Sequence, residues 1–420
     1  MQPHLSLIGH KMSQLTGVRA IMKDIVETLQ SEPGKWTNLS AGNPLILPEV
    51  EAMWREYTQK LLAGPDFGEV VGRYGASQGY MPLIDAVVDW FNTHYHWGIT
   101  RRNVLITPGS QALYFYAANC FGGYDAEGRL RKIVLPLSPD YTGYGGVTLT
   151  TESLHAYKPA IDIVAPHRFK YRPDFDQLHI GETTGAVLFS RPGNPTGNVL
   201  TDTEVQRIVD LAAAYNVPVL IDSAYALPFP NLVFTAMTPV FGENVLHCMS
   251  LSKAGLPGER VGIAIGDERN IHALECFQAN AAIHSSRYGQ ALAAQAINSG
   301  ELARLSETVI KPHYQHKAEV LTAALDREMP DDVPWYLHKA EGAIFAWLWL
   351  KDLPISDKQL YQEIKKEHVI VVPGASFFPG LNEDWPHKEQ CLRISLTATG
   401  EELGAGAAAI ARVVKRVYGG

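Results

Sequence analysis

The chain has 420 residues and a formal net charge of -8, with 46% hydrophobic and 19% charged residues. This composition is typical of a globular protein, and the length exceeds that of a usual domain of about 100 to 200 residues, so we expect two domains. The sequence has no dense cluster of lysine and arginine and no apolar run of about 18 residues, which argues against a nucleic-acid partner and against a membrane protein.

The N-terminus and the cysteines indicate the compartment. Residues 1–5 lack the charged start and long apolar stretch of a secretory signal. The four cysteines are scattered along the chain without the paired spacing of metal ligands, and they are few for a secreted chain held by disulfides. We therefore expect a cytoplasmic protein without a metal site.

Short apolar runs alternate with helical patterns between about residues 100 and 265. Buried strands separated by helices predict a largely parallel sheet with both faces covered. The runs are 103–106, 132–137, 186–190, 217–221 and 245–249. Ligands of such sheets bind beyond the carboxyl ends of the strands, so the polar residues after each run are the candidate site.

One crossover helix can be predicted in detail. Thr201 and Glu204 have the spacing of a capping box. The apolar residues that then recur on one helical face are Val205, Ile208, Val209, Ala212 and Tyr215.

A different pattern after about residue 300 predicts a second, smaller α+β domain. It consists of a long helical stretch, a strand at 342–350, a helix at 357–366 and strands near Val369 and Leu392. The predicted division is an N-terminal arm of residues 1–45 that joins the small domain, a large domain of residues 46–300, and a small C-terminal domain of residues 301–420.

A lysine, Lys253, follows the run 245–249 with Ser250 and Ser252 beside it. A lysine at a strand end can form a Schiff base if the pKa of its amine is lowered. The alternative is a solvated loop lysine, the commoner role of any single lysine.

An aspartate and a tyrosine follow another run. Asp222 ends the run 217–221, and Tyr225 lies three residues later. An acid there suits a cofactor whose ring nitrogen must stay protonated. Alternatively, Asp222 caps a helix and Tyr225 is an ordinary core aromatic.

Two loops contribute the remaining candidate site residues. Asn194 lies in the Pro- and Gly-rich turn 191–197, where its amide could meet a ligand or simply stabilise the loop. Gly109, Ser110 and Gln111 lie between a strand and a helical stretch that begins near Ala112. Free N–H groups at a helix start can bind phosphate, although simple helix caps have the same sequence.

In this order, these segments resemble the class I aminotransferases of fold type I. The shared elements are Gly-Ser-Gln at 109–111, Asn-Pro-Thr-Gly at 194–197, Asp-x-x-Tyr at 222–225, Ser-x-Ser-Lys at 250–253, Pro-Gly-x-Arg-x-Gly at 257–262 and the late arginine Arg393. The resemblance implies an α/β fold with a mainly parallel sheet of seven strands, flanking helices and a smaller α+β domain.

The resemblance also implies pyridoxal 5'-phosphate (PLP) as cofactor, with Lys253, Asp222 and Tyr225 as catalytic residues. Lys253 would be the Schiff-base lysine and Asp222 the partner of the pyridine nitrogen. Asn194 and Tyr225 would meet the phenolic oxygen, and Tyr141 would stack on the ring. The residues implied at the phosphate are Gly109, Ser110, Gln111, Ser250, Ser252 and Arg260. One departure is that Arg260 stands seven residues after the lysine, where many relatives have eight.

For the substrate, the resemblance implies that Arg393 grips the α-carboxylate and that Gly42 and Asn194 lie beside it. Tyr74, in Tyr-Gly-Ala-Ser-Gln-Gly, resembles the tyrosine that such enzymes lend to the phosphate of a neighbouring subunit, which implies a homodimer.

Four further segments are similar to the branch of this family that transfers the amino group of valine to pyruvate. They are 302–312, 338–345, 377–381 and 385–387. The implied partners are an aliphatic amino acid and a 2-oxo acid. The alternatives are a lyase, a decarboxylase or a specialised-metabolism aminotransferase on the same fold, or a regulator's sensor domain without activity.

Overall fold

The helices and strands given below are those of a computed structural model, which describes residues 4–15 and 17–419. The helices are α1 (Leu7–Ser13), α2 (Gly17–Ser31), α3 (Pro48–Ala63), α4 (Phe67–Gly72), α5 (Met81–Tyr95), α6 (Ser110–Phe121), α7 (Asp202–Ala213), α8 (Glu268–Ala282), α9 (Arg287–Asn298), α10 (Glu301–Leu305), α11 (Lys311–Glu328), α12 (Asp357–Lys365) and α13 (Gly400–Gly419). Among these residues, no helix has both the length and the apolar character needed to cross a bilayer.

The strands form one large sheet, one smaller sheet and a short pair. They are β1 (Thr37–Asn38), β2 (Val104–Pro108), β3 (Gly123–Tyr124), β4 (Leu130–Leu135), β5 (Leu154–Ala156), β6 (Pro159–Ala165), β7 (Arg168–Pro173), β8 (Thr184–Ser190), β9 (Val219–Asp222), β10 (Val245–Ser250), β11 (Val261–Ile265), β12 (Trp335–His338), β13 (Phe345–Leu350), β14 (Val369–Ile370), β15 (Val372–Pro373) and β16 (Cys391–Ser395).

The large sheet follows the order β2-β11-β10-β9-β8-β4-β3, with β5 paired to β4. Strands β4, β8, β9 and β10 pair in parallel. The exceptions are β11, which is antiparallel to both neighbours, and β3. Every residue of β8, β9 and β10 is buried, as expected for central strands covered on both faces. The expected mainly parallel sheet of the seven-stranded type is confirmed, with the short β5 as an eighth strand beside β4.

The predicted crossover between β8 and β9 is confirmed as α7. Thr201 caps the helix, and Thr201 and Glu204 exchange both bonds of the capping box. The predicted apolar face is buried at Val205, Ile208, Val209 and Ala212. The prediction was wrong for Tyr215, which lies beyond the end of α7 and is 45% exposed.

The smaller sheet has the order β15-β16-β13-β12-β7-β6. Its strands come mostly from the C-terminal part of the chain, but β6 and β7 are contributed by residues 159–173, inside the range assigned to the large domain. Strand β1 pairs with β14, which ties the N-terminal segment to the C-terminal part. The division at residue 300 stays a prediction.

The sheets meet where the site residues lie. The parallel strands β2, β4, β8, β9 and β10 all end at the same edge of the large sheet. At that edge β13 and β16 of the smaller sheet bring Phe345 and Arg393 to the same cavity. Residues distant in sequence are thereby assembled in one place.

Candidate active site

A cavity of about 220 Å³ lies at the carboxyl edge of the large sheet. Most of the residues singled out in the sequence line it. They are Gly42, Ser110, Gln111, Tyr141, Asn194, Asp222, Tyr225, Ser250, Ser252, Lys253, Arg260 and Arg393. Gly109 is next to this lining, whereas Tyr74 lies elsewhere on the chain and is 84% exposed.

Lys253 lies in a short turn directly after β10. Its Nζ donates a hydrogen bond of 2.6 Å to the carbonyl oxygen of Gly42. Burial lowers the pKa of Lys253 to about 8, and the positive charges of Arg393 and Arg260 act in the same direction. About a tenth of the amine is therefore unprotonated at pH 7, and this neutral form is the one that a nucleophile or base requires.

Asp222 ends β9, lines the same cavity and is buried. Its Oδ2 accepts a hydrogen bond of 2.7 Å from the Tyr144 hydroxyl, and its Oδ1 accepts one of 3.0 Å from the Ala224 N–H. Burial raises the pKa of Asp222, while these hydrogen bonds oppose the rise. A buried carboxylate of this kind gains most from a cationic ligand group placed against it.

The third feature is an anion cradle formed by β2, α6 and β10. Helix α6 begins at Ser110, and its N-cap Gly109 makes no side-chain cap bond, so the first N–H groups are available to a ligand. Arg260 Nη1 donates to Ser252 Oγ at 3.2 Å, which in turn lies 3.0 Å from Ser250 Oγ. Despite the shorter spacing after the lysine, Arg260 reaches the cavity.

Position 109 of this cradle requires a glycine, because of its backbone conformation and the closeness of Arg260. Its φ is 78°, in the left-handed region, and an added Cβ would lie 2.2 Å from Nη2 of Arg260. The Oε1 atom of the neighbouring Gln111 is buried without a hydrogen-bond partner among the described residues. The cradle thus combines a cation, hydroxyls and free N–H groups, the donor set that a phosphate monoester takes.

Arg393 approaches from β16 and is buried at 6% exposure. It donates to Asn194 Oδ1 at 3.1 Å and to the Ser40 carbonyl at 3.0 Å, while its Nε has no partner among the described residues. Because the arginine occupies the oxygen of the Asn194 amide, the amide nitrogen is the atom available to a ligand. The guanidinium lies 4.1 Å from the Phe345 ring centroid. An incoming carboxylate would satisfy the unpaired Nε.

Two aromatic residues close the cavity around Asp222. Tyr141 lies with its ring at right angles to that of Tyr144, with centroids 5.3 Å apart. Tyr225 is buried, which raises the pKa of its hydroxyl, and it packs edge-on against Phe345. Burial raises the pKa of both phenols, so both stay protonated at neutral pH and each has a hydroxyl that can donate to a ligand.

Several residues in and around the cavity were not predicted. Tyr114 and Tyr144 flank Asp222, and nothing in their local sequence shows that they meet it. One face of α2 also lines the cavity, through Val18, Ile21, Met22 and Ile25. The signal for this face was present, because these positions follow the i, i+3, i+4, i+7 spacing of an amphipathic helix.

Comparison with known proteins agrees with this geometry. The family model described as "Aminotransferase class I and II" matches residues 153–410. The valine–pyruvate aminotransferase of Escherichia coli K12 is 38% identical over 413 residues, 98% of each chain. The crystal structure of a valine-pyruvate aminotransferase from Salmonella typhimurium superposes with a TM-score of 0.86 at 35% identity, covering 94% of this chain and 99% of that one.

A candidate amino-acid aminotransferase from Psychrobacter arcticum has a crystal structure that covers 100% of both chains, with a TM-score of 0.94 and 36% identity. The match extends over both sheets, so the two proteins share the same fold. This chain therefore has the α/β fold of type I. Together with the family model and the identity along nearly the full length, it follows that this chain belongs to the class I and II aminotransferases.

Proposed function

We propose that this aminotransferase uses PLP to exchange amino groups between an aliphatic L-amino acid and a 2-oxo acid. The proposed reaction converts L-valine and pyruvate into 3-methyl-2-oxobutanoate and L-alanine. The observation that carries it is the make-up of the cavity: an aliphatic helix face lines it, and among the described lining residues no cation is left over for a second substrate carboxylate. The similarity to valine–pyruvate aminotransferases along 98% of the chain supports the same reaction.

The residues fit PLP at each of its polar groups. The cradle of Ser110, Ser252 and Arg260 suits the phosphate, and the carboxylate of Asp222 suits a protonated ring nitrogen. The amide nitrogen of Asn194 and the hydroxyl of Tyr225 suit the phenolic oxygen. When bound, PLP supplies an electron sink for the charge that develops at the substrate's α-carbon.

Lys253 then acts as the proton carrier. A pKa of about 8 leaves part of the amine neutral near pH 7, so Nζ can remove the α-proton and later return it. The bond to the Gly42 carbonyl holds Nζ at 2.6 Å from that oxygen on the cavity wall. Holding the amine at one place is what makes the same group usable as base and then as acid.

Arg393 binds the carboxylate that every α-amino acid and 2-oxo acid shares. Its bonds to Asn194 and Ser40 fix the plane of the guanidinium, and burial lowers its pKa only to about 10, so it remains charged. A planar charged fork can hold a carboxylate at two points, which orients the α-C–H bond.

The side-chain pocket favours an aliphatic substrate. Among the described lining residues, the cations are Lys253, Arg260 and Arg393, and each has another role. The α2 face presents Met22, 49% exposed, and Val18, 36% exposed, to the cavity. Apolar contact with these side chains would stabilise valine by the usual burial term, whereas a second carboxylate would be buried without a partner.

We further propose a cytoplasmic homodimer in which Tyr74 completes the phosphate site of the partner subunit. The free thiols of all four cysteines suit a reducing compartment. Tyr74 is exposed and does not line the cavity of its own chain. Light scattering should give a mass of twice 46.2 kDa, and Tyr74→Phe should weaken PLP binding. A monomer that binds PLP tightly would contradict this part.

A single-turnover experiment separates transamination from the alternative PLP reactions. The PLP-loaded protein is mixed with L-valine and no acceptor, with D-valine as the matched control. We expect one equivalent of 3-methyl-2-oxobutanoate per subunit, no carbon dioxide, and alanine once pyruvate is added. Release of carbon dioxide would instead identify a decarboxylase, and continuous release of ammonia would identify a lyase.

A further inference from the structure

Asp140 lies behind the cavity wall, where it joins two of the loops that form it. Its Oδ1 accepts the N–H of Tyr141 at 2.7 Å and also the hydroxyl of Ser190, while its Oδ2 accepts the N–H of Ser190 at 3.0 Å. The exposed fractions of Asp140 and Ser190 are 3% and 6%. Neither residue lines the cavity, so neither touches a ligand there.

The hydrogen bonds continue from Ser190 to the substrate side of the cavity. Ser190 Oγ accepts the N–H of Asn194 at 3.3 Å, and the side-chain oxygen of Asn194 accepts a bond from Arg393. On its other side, the N–H of Asp140 donates to the carbonyl of Phe377 at 2.9 Å, and the ring of Phe377 lies 4.9 Å from the Arg393 guanidinium. Both routes from Asp140 therefore end at the same arginine.

We propose that Asp140 is a positioning residue: its carboxyl group orients Tyr141 and, through Ser190, Asn194, so that the ring-facing and phenolic-oxygen-facing side chains are held as one unit. The proposal rests on the PLP function proposed above. A carboxylate suits this position because both of its oxygens accept, and the two turns present only donors to it. An amide offers one oxygen and one NH2 group, which would face one of these N–H donors.

Loss of the Asp140 carboxylate should change the properties of the bound cofactor and not only the stability of the fold. In the proposed PLP complex Tyr141 would face the ring, and Asn194 would donate the hydrogen bond to the phenolic oxygen, which would influence the pH at which the bound cofactor changes colour. Asp357 provides a matched control, since it is a buried carboxylate that accepts two backbone N–H bonds of 2.8 Å, from Ala375 and Lys358, and does not line the cavity.

The experiment compares wild type, Asp140→Asn, Ser190→Ala, the double variant and Asp357→Asn. Burial raises the pKa of Asp140 to about 7, so binding is measured at about pH 8.5, where the carboxylate is ionised. The readouts are the Kd for PLP, the midpoint of the pH titration of the bound-cofactor absorbance, and thermal unfolding. We expect each active-site single variant to weaken PLP about three- to tenfold, the effect of one lost hydrogen bond, and to move the midpoint.

The double variant should be no worse than the stronger single variant, because both act on one chain of bonds. Additive effects, or midpoints equal to those of wild type and Asp357→Asn, would overturn the role of Asp140. If Asp140→Asn does not fold, an unchanged Ser190→Ala titration overturns it by itself. A wild type that binds no PLP overturns the proposed function instead, and the two failures are thereby distinguished.

Discussion

The hydroxyl of Tyr144 donates a hydrogen bond of 2.7 Å to Oδ2 of Asp222, and both side chains are buried. Burial raises the pKa of Asp222, and this bond, together with the Ala224 N–H, works in the opposite direction. Tyr144 therefore helps to keep Asp222 ionised, which the carboxylate must be to pair with a protonated ring nitrogen.

Tyr144→Phe should raise the pKa of Asp222 and weaken that pairing. Loss of a bond to a charged acceptor costs about 1.5 to 3 kcal/mol, so we expect kcat to fall roughly ten- to a hundredfold. The matched control is Tyr361→Phe, which removes a 2.7 Å bond between a tyrosine and a carboxylate, Asp24, away from the cavity. Equal losses in the two variants would show that Tyr144 has only a structural role.

Asp222→Asn should slow the reaction more than Tyr144→Phe, because it removes the charge itself. The lost charge-assisted bond alone predicts a fall of roughly ten- to a hundredfold, and because the charge is lost as well we expect kcat to fall by more than about a hundredfold, with PLP still bound through the phosphate cradle. Single-turnover rates with valine would measure it. A near-normal rate in this variant would refute the role given to Asp222.

Lys253 should be the lysine that carries the cofactor. Borohydride reduction of the yellow PLP-loaded protein should attach the cofactor to the peptide that contains Lys253, as read by mass spectrometry. Lys253→Ala should retain PLP through the cradle at Arg260 but lose turnover. The buried Lys170, paired with Glu341 outside the cavity, serves as an internal control and should stay unlabelled. Labelling of any lysine other than Lys253 would disprove the assignment.

The lowered pKa of Lys253 also predicts how stability depends on pH. The amine titrates near 10.5 in the unfolded chain and at about 8 in the folded one, so stability increases as pH rises from 8 towards 10.5. Below pH 8 both states are protonated, and the cost of burying the charge is fully present. Lys253→Met should therefore stabilise the PLP-free protein more at about pH 7 than at about pH 9.5. Equal effects at both pH values would mean that the amine is not perturbed.

The carboxyl ends of the buried strands were predicted well from the sequence, because polar residues follow each apolar run and mark where the buried strand stops. Asp222 is the last residue of β9, Asn194 lies four residues after the end of β8, and Lys253 lies three residues after the end of β10. The first predicted strand of the smaller sheet began too early, since Ala343 has a φ of 62° and the strand starts only at Phe345. A residue in the left-handed region interrupts a strand.

Other features of the fold and of the site could not be predicted, because they depend on contacts between residues far apart in the sequence. Strand β7 joins the smaller sheet because it pairs with β12, so that Phe169 lies opposite His338. The bond from Tyr144 to Asp222 likewise joins residues 78 positions apart. The apolar periodicity of α2 predicts a helix face, but only the fold determines that this face lines the cavity.

The preference for one substrate side chain over another should not depend on Arg393, which is proposed to bind the carboxylate that all donors share. Arg393→Lys removes the two-point grip that all α-amino acids share, so it should lower kcat/KM for every donor by a similar factor, roughly tenfold or more. The ranking of donors should stay as it is in the wild type. A changed ranking would mean that Arg393 contacts the substrate side chain instead.

The most direct measurement is kcat/KM for valine, leucine and aspartate with pyruvate as acceptor, and for alanine with 3-methyl-2-oxobutanoate as acceptor, because alanine and pyruvate would only regenerate each other. We predict that valine is used well and that leucine differs from it by roughly ten- to two-hundredfold, since one methylene is worth about 1 to 3 kcal/mol. Aspartate should be poor, because its second carboxylate would be buried without a partner. If aspartate is the best donor, the aliphatic pocket beside α2 is not the substrate side-chain site, and the proposed reaction is wrong.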